Sequence, residues 1–192
     1  GRVLLQIQAD LANPAAAQQV AEQVVAELPA TASRYILINN AGTVEPIAQC
    51  NNLDNAAAVT AAFSLNVTSV ILLTSAFLRR VKSLSADVRI VNISSGAGRN
   101  PQPGWGVYCA TKAALDHYSR VLHTENHGVR VVSLAPGVID TGMQHVIRGS
   151  SAADFPNVDK FAQMHSSGQL NSPASVAARI LGFINSNAFG SE

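Results

Sequence analysis

The stretch V-R-I-V-N-I-S-S-G-A-G-R-N (residues 88–100), continued by P-Q-P-G-W-G-V-Y-C-A-T-K-A-A-L-D-H-Y-S-R-V-L-H-T-E-N-H-G (101–128) and V-R-V-V-S-L-A-P-G (129–137), decides the fold. Val88–Ile93 is a short apolar run ending in Ser94-Ser95-Gly96, which reads as a buried strand. Residues 107–126 carry a helical pattern, with Gly128 placed to stop it. Val129–Leu134 is a second apolar run, ending at Ala135-Pro136-Gly137. A strand, a helix and another strand in that order form a crossover unit, and crossover units build parallel sheets.

The same alternation continues outward. Val3–Gln8 reads as a strand followed by Ala9-Asp10-Leu11. Asn13 stands as an N-cap with Pro14 at the first helical position. Ala17, Val20, Ala21, Val24, Val25 and Leu28 then follow as one apolar stripe. Tyr35–Ile38 is a short buried strand running into Asn39-Asn40-Ala41-Gly42, and a long helix is predicted from near Asp54 to about Lys82. Residues 142–171 read as irregular or weakly helical. Ser172-Pro173 caps a last helix reaching about Asn185. The expectation is an α/β, doubly wound parallel sheet forming one domain over residues 1–192. In such sheets ligands bind at the carboxyl ends of the strands. The polar clusters Asp10, Asn39-Asn40, Ser94-Ser95 and the turn after Pro136 fall at those ends, which points to one site.

Composition excludes several classes. Of the 192 residues, 47% are apolar and 13% charged, with a net charge of +1. That balance suits a sheet covered on both faces and offers no basic patch for nucleic acid or an acidic membrane. Arg79, Arg80 and Lys82 cluster at one helix end, where they complement the helix dipole. Cys50 and Cys109 show neither metal-ligand spacing nor a disulfide framework, so no metal is expected and a reduced, cytoplasmic setting is. No uninterrupted apolar run approaches the roughly 18 residues of a membrane span, and no membrane association is expected.

Tyr108 and Lys112 are four apart on the helix and project from one face. A phenol normally ionises near pH 10, too high for acid–base work near neutrality. A neighbouring ammonium favours the phenolate and would lower that value. Taken alone the pair also fits an amphipathic tyrosine beside a surface lysine. Ser95, at the end of the preceding strand, could donate to a carbonyl oxygen as charge develops there; its alternative is a cap or turn serine, a part that suits Ser94 better. Asn66, in Leu65-Asn66-Val67, is a poor helix-interior residue because its amide competes with backbone bonds. A functional reason or a satisfied polar contact would explain it.

With these residues in view, the sequence resembles the short-chain dehydrogenase/reductase family over nearly its whole length. The motifs are Asp10-Leu11, N-N-A-G at 39–42, Asn66-Val67, V-N-I-S-S at 91–95, Y-C-A-T-K at 108–112 and P-G-V-I-D-T at 136–141, in family order and spacing. The resemblance implies that Tyr108 is the general acid in carbonyl reduction and that Ser95 polarises the carbonyl. It implies that Lys112 binds the nicotinamide ribose and lowers the Tyr108 pKa, and that Asn66 holds a water of a proton relay. Asp10 and Leu11 would border the adenine, Asn40, Ala41 and Gly42 its ribose, and Ile139 and Thr141 the carboxamide end. The stretches 38–47, 103–112 and 140–144 are similar to the sepiapterin and benzil reductase group. That similarity implies dicarbonyl or pterin-like substrates, NADP as the preferred cofactor with NAD the alternative, and a pocket lined by Trp105, Met143 and the loop around Phe155. The family's glycine-rich turn is not in this sequence. The chain is therefore expected to start near the third strand, to stop before the last, and not to bind NADP(H) by itself. A homodimer or homotetramer is implied, through the helices at 54–82 and 107–126, where Ala57, Ala58, Ala61, Ala62, Ala113 and Ala114 allow close approach. Other readings are an NAD-dependent alcohol or hydroxysteroid dehydrogenase and a non-catalytic cofactor-binding scaffold.

Overall fold

The computed structural model describes residues 4–191. Three strands, β1 (Arg34–Asn39), β2 (Asp87–Ile93) and β3 (Arg130–Leu134), pair in parallel in the order β1-β2-β3. Leu37 lies opposite Ile90, and Val91 opposite Val132. Helices connect and cover them: α1 (Pro14–Ala26), α2 (Ala56–Phe63), α3 (Ser69–Val81), α4 (Gly106–Glu125), α5 (Gly142–Arg148), α6 (Val158–Ser166) and α7 (Pro173–Asn185).

β2 shows why the sheet needs helices on both faces. Val88 and Ile90 belong to a core with Ala21 and Val25 of α1, Ala76, Phe77 and Val81 of α3, and Leu122 of α4. Val91 points the other way, into a cluster with Ile184 of α7 and Phe189. Successive side chains of a strand alternate faces, so a run buried at every position from Val88 to Asn92 requires cover on both sides.

The helix ends follow the sequence cues. Asn13 Oδ1 accepts from the Ala15 and Ala16 N–H groups with Pro14 at the first position, and Ser172 Oγ accepts from Ser175 N–H. α4 ends with Asn126 in the left-handed region (φ 49°), two residues before Gly128 (φ 73°), so the stop begins earlier than the glycine. Arg79 and Arg80 do occupy the last turn of α3, and they also tie it to α1: Arg79 pairs with Glu22 at 2.5 Å and Arg80 donates to Leu28 O.

Three expectations are corrected. Residues 4–8 are not a strand: they carry no ladder, and Leu4 and Leu5 are 84% and 54% exposed. Backbone donors form a strand only beside a partner, and none lies beside them among the described residues. Val3 lies outside the described residues. The long helix expected from Asp54 is capped by Asn55, starts at Ala56, and is interrupted by a π turn at Ser64–Thr68. The 26-residue helical run Ala56–Val81 is long and apolar enough to cross a membrane by length and composition. A count of uninterrupted apolar residues misses it because Ser64, Asn66, Ser69 and Thr74 break the run. All four are buried, and the run packs against α1 and α4. The weakly helical stretch 142–171 contains two short true helices, α5 and α6.

Candidate active site

The carboxyl ends of β1 and β2 face the buried side of α4 across a small volume. Lys112 is 4% exposed, and its ammonium donates to Ile93 O at 2.8 Å. A Cβ placed on Gly42, in the turn after β1, would lie 3.2 Å from Asn66 Oδ1 and 3.5 Å from Lys112 Nζ. Gly42, Asn66 and Lys112 therefore converge from three elements. Tyr108, one helical turn before Lys112, is buried, with the Lys112 ammonium 5.7 Å from its ring centre.

Asn66 sits in the π turn and is fully buried. Its Oδ1 accepts from Thr43 N–H at 2.8 Å, and its Nδ2 donates to Thr43 O at 2.8 Å and to Thr111 Oγ1 at 3.0 Å. One amide thereby fastens the turn after β1 to α4. With both donors engaged, only a remaining acceptor lone pair on Oδ1 could meet a water. The π turn admits an extra residue into the helix, and it brings this amide to the buried side.

The cap serine is Ser95, not Ser94. Ser95 Oγ accepts from Ala97 N–H at 3.2 Å, capping the short 3-10 turn Gly96–Gly98. Ser94 is buried, and its hydroxyl donates to Lys112 O at 3.4 Å. Both lie just past the end of β2: Ser94 is buried against Lys112, and Ser95 faces the Tyr108 phenol. Capping uses the Ser95 oxygen only as an acceptor, so its hydrogen can be donated, and the Tyr108 oxygen is the partner it faces.

The expected lowering of the Tyr108 phenol does not occur. Burial pushes Tyr108 above its ordinary value, the Ser95 hydroxyl pulls it back in part, and Cys109 adds a small rise. Burial also pulls Lys112 down to about 8, against the charge of Asp116. The arrangement is a buried phenol held above its ordinary value beside a buried amine held below its own.

The remaining expected residues divide. Asn40 and Ala41 are exposed in the turn after β1. Asp10 is exposed with Oδ1 accepting from Ala12 N–H at 3.0 Å, and Leu11 lines a surface groove with Leu4, Ile7 and Val20. Ile139 bridges to Asn171: Asn171 N–H reaches Val138 O and Asp140 N–H reaches Asn171 O, so the N–H and C=O of Ile139 point away from that partner. Thr141 is exposed at the start of α5. Trp105 stacks on Phe155 with centres 4.7 Å apart and meets Tyr108 edge-on at 5.5 Å; Met143 packs against the same cluster. Phe155 is 0% exposed, so it backs Trp105 rather than lining an opening. The sequence reading missed Thr43, Thr111 and Asp116. Asp116 could have been found, since it stands four residues beyond Lys112 on the same helix face.

Residues 1–151 match a family model described as short chain dehydrogenase. A benzil reductase ((S)-benzoin forming) of Bacillus cereus is 40% identical over 157 residues, covering 80% of this chain and 63% of that protein. A sepiapterin reductase of Rattus norvegicus is 36% identical over 187 residues, covering 95% of this chain and 71% of that one. The chain thus spans roughly two thirds of the length of these relatives. The crystal structure of a short chain dehydrogenase from Burkholderia cenocepacia in complex with NADP superposes with a TM-score of 0.69 at 29% identity, covering 93% of this chain and 68% of that one.

Proposed function

The chain belongs to the short-chain dehydrogenase family, and from that premise we propose that it serves an NADPH-dependent reduction of a small dicarbonyl or pterin-like compound. The observation that carries this reading is the convergence of buried Lys112, Asn66 and Gly42 beside Tyr108 and Ser95 at the carboxyl ends of β1 and β2. The similarity to benzil and sepiapterin reductases supports the substrate class, and the NADP complex of a structural neighbour supports the cofactor.

The residues fit a nicotinamide nucleotide. Lys112 uses one ammonium donor on Ile93 O, which leaves two for ribose hydroxyls. The Ile139 peptide offers a donor and an acceptor on its open side, matching a carboxamide, and Gly42 leaves room that a side chain would fill. Asn40, Ala41 and Thr141 are exposed where the same ligand would pass, and Asp10 with Leu11 would take the adenine end. When bound, the cofactor supplies hydride.

The chain's own groups manage the oxygen of the carbonyl. The Tyr108 hydroxyl gives it a proton; burial keeps the phenol protonated but makes it a weaker acid, so the transfer relies on the Ser95 hydroxyl and the Lys112 charge to favour the phenolate as it forms. Until that transfer the Ser95 hydrogen donates to the carbonyl oxygen as negative charge builds. Asn66 fixes the turn after β1 relative to α4 and offers the spare lone pair of Oδ1 to a relay water. Trp105 and Met143 supply apolar walls. Two free thiols, Cys50 and Cys109, suit a cytoplasmic enzyme. Exposed Ala57, Ala61 and Ala113, with half-exposed Phe63 and Val121, suit α2 and α4 to a homodimer or homotetramer contact.

Tyr108→Phe, made in a version of the enzyme that also carries the glycine-rich turn, tests the reading. It removes the donor and keeps the ring, so kcat for a diketone should fall roughly a hundredfold or more while NADPH binding, followed by fluorescence, stays unchanged. Retention of more than about a tenth of kcat would remove the general-acid role. A panel of diketones, quinones and pterins against secondary alcohols, with each cofactor, distinguishes this from NAD-linked oxidation.

A further inference from the structure

Asp116 lies one helical turn beyond Lys112 on α4 and has no part in the roles above. Its carboxylate is where several segments meet. Oδ1 accepts from Ser133 Oγ of β3 at 2.5 Å, and Oδ2 accepts from Arg99 Nε at 3.1 Å. The Ser94 hydroxyl, at the end of β2, also faces it. A Cβ on Gly98 would come within 3.0 Å of Asp116 Oδ2 and 2.9 Å of the Lys112 carbonyl carbon, so the 3-10 turn after Ser95 lies hard against this part of α4. The Asp116 side chain is 12% exposed, whereas Arg99 is 56% exposed. The Ser133 hydroxyl satisfies one carboxylate oxygen without neutralising it, and Arg99, being exposed, offsets its charge only in part. A negative charge is thus held on α4 one helical turn beyond Lys112, whose ammonium is itself buried against Ile93 O.

We infer that Asp116 is a positioning residue for the reacting pair, keeping Lys112 protonated in its buried place and clipping the Ser94-Ser95 turn against α4. This deepens the carbonyl-reductase reading, and only its pH-profile consequence rests on that reading. The groups around the carboxylate are Lys112 on α4, Ser94 at the end of β2, Arg99 after the 3-10 turn and Ser133 on β3; Arg99 makes the salt bridge to it among the described residues. Burial disfavours the Lys112 ammonium, and Asp116 opposes that pull. Neutralising Asp116 must therefore lower the Lys112 titration. Neutralising Arg99 must raise it, because the carboxylate then acts undiminished and a cation is gone. Both changes break the same ion pair, so an effect of lost structure alone would move Lys112 the same way in each.

The chain contains three lysines, Lys82, Lys112 and Lys160, few enough for side-chain carbon NMR, with Lys112→Arg assigning the signal. In Asp116→Asn the Lys112 midpoint should fall by at least about half a pH unit, and in Arg99→Met it should rise. The alkaline limb of diketone reduction should move in the same two directions. Unchanged midpoints, or shifts of one sign in both variants, overturn the inference. If Asp116→Asn fails to fold, Arg99→Met decides alone, since a midpoint that does not rise is sufficient refutation. Should Lys112→Met leave turnover intact, the reaction role of Lys112 fails, while the NMR titration still decides what Asp116 does.

Discussion

At the scale of single residues, two glycines two positions apart make opposite demands. A Cβ on Gly98 would meet the Lys112 backbone at 2.9 Å, whereas one on Gly96 would meet nothing within 4 Å. Gly98→Ala must push the 3-10 turn away from α4, and with it Ser95, which caps that turn. It should cost about 1–3 kcal/mol of stability, as overpacking does, and lower kcat further than Gly96→Ala, which should be near neutral in both thermal melting and kinetics. Equal behaviour of the two variants would contradict the close approach. Tyr108 and Lys112 could be read from sequence because one helix presents both, and Asn66 because it is out of place in a helix. Thr43 and Thr111 could not: their importance comes from an amide supplied by another element. That Ser95 also serves as a cap depends on the 3-10 turn after it, which apolar spacing does not announce.

At the scale of elements, the amino-terminal edge of the sheet is held by Asp87. Its carboxylate pairs with Arg34 of β1 at 2.7 Å, Arg89 of β2 at 2.8 Å and Arg130 of β3 at 2.5 Å. The arginines continue to the end of α7: Arg89 donates to Ile184 O and Ser186 O, and Arg34 to Asn185 Oδ1. The three cations hold the Asp87 carboxyl far below the usual carboxylate range despite the opposing effect of desolvation. Its stabilisation is therefore complete above a pH of about 4 and is lost as pH falls from there toward the lowered folded value. Asp87→Asn leaves Arg89, 4% exposed, without its counter-charge. It should cost roughly 3 kcal/mol at neutral pH, and the deficit should shrink in acid. Thermal melting of both proteins from pH 7 to 2 checks this, and a pH-independent deficit would argue against the linkage. The strands and caps around this edge were legible from apolar runs and from Asn13-Pro14 and Ser172-Pro173. The segment 4–8 was misread because an apolar run specifies a strand only where a partner is present.

At the scale of the whole molecule, α2 and α4 present small exposed side chains beside half-exposed Phe63 and Val121. If copies of the protein associate there, Ala113→Arg should shift the mass measured by light scattering toward the monomer without changing the melting of the isolated subunit's secondary structure. An unchanged mass would move the contact elsewhere. The π turn in the middle of the 56–81 run has a different kind of consequence. An α-helix advances about 100° per residue, and a π turn amounts to one residue inserted into it. The turn therefore works as a slack loop in a single rod, taking up one surplus residue so that both sides keep their facing. Before it, the rod is aligned with α4; after it, the stripe of Val70, Phe77 and Val81 is aligned with α1 and the sheet. Losing one residue between Ser64 and Thr68 would close the widened turn into an ordinary α turn and leave that stripe on its core, at the expense of the hold Asn66 has on Thr43 and Thr111. Losing one between Ser69 and Val81, where no surplus residue is stored, would turn the remainder of the rod by about 100°, so this segment tolerates a missing residue at one point and little elsewhere.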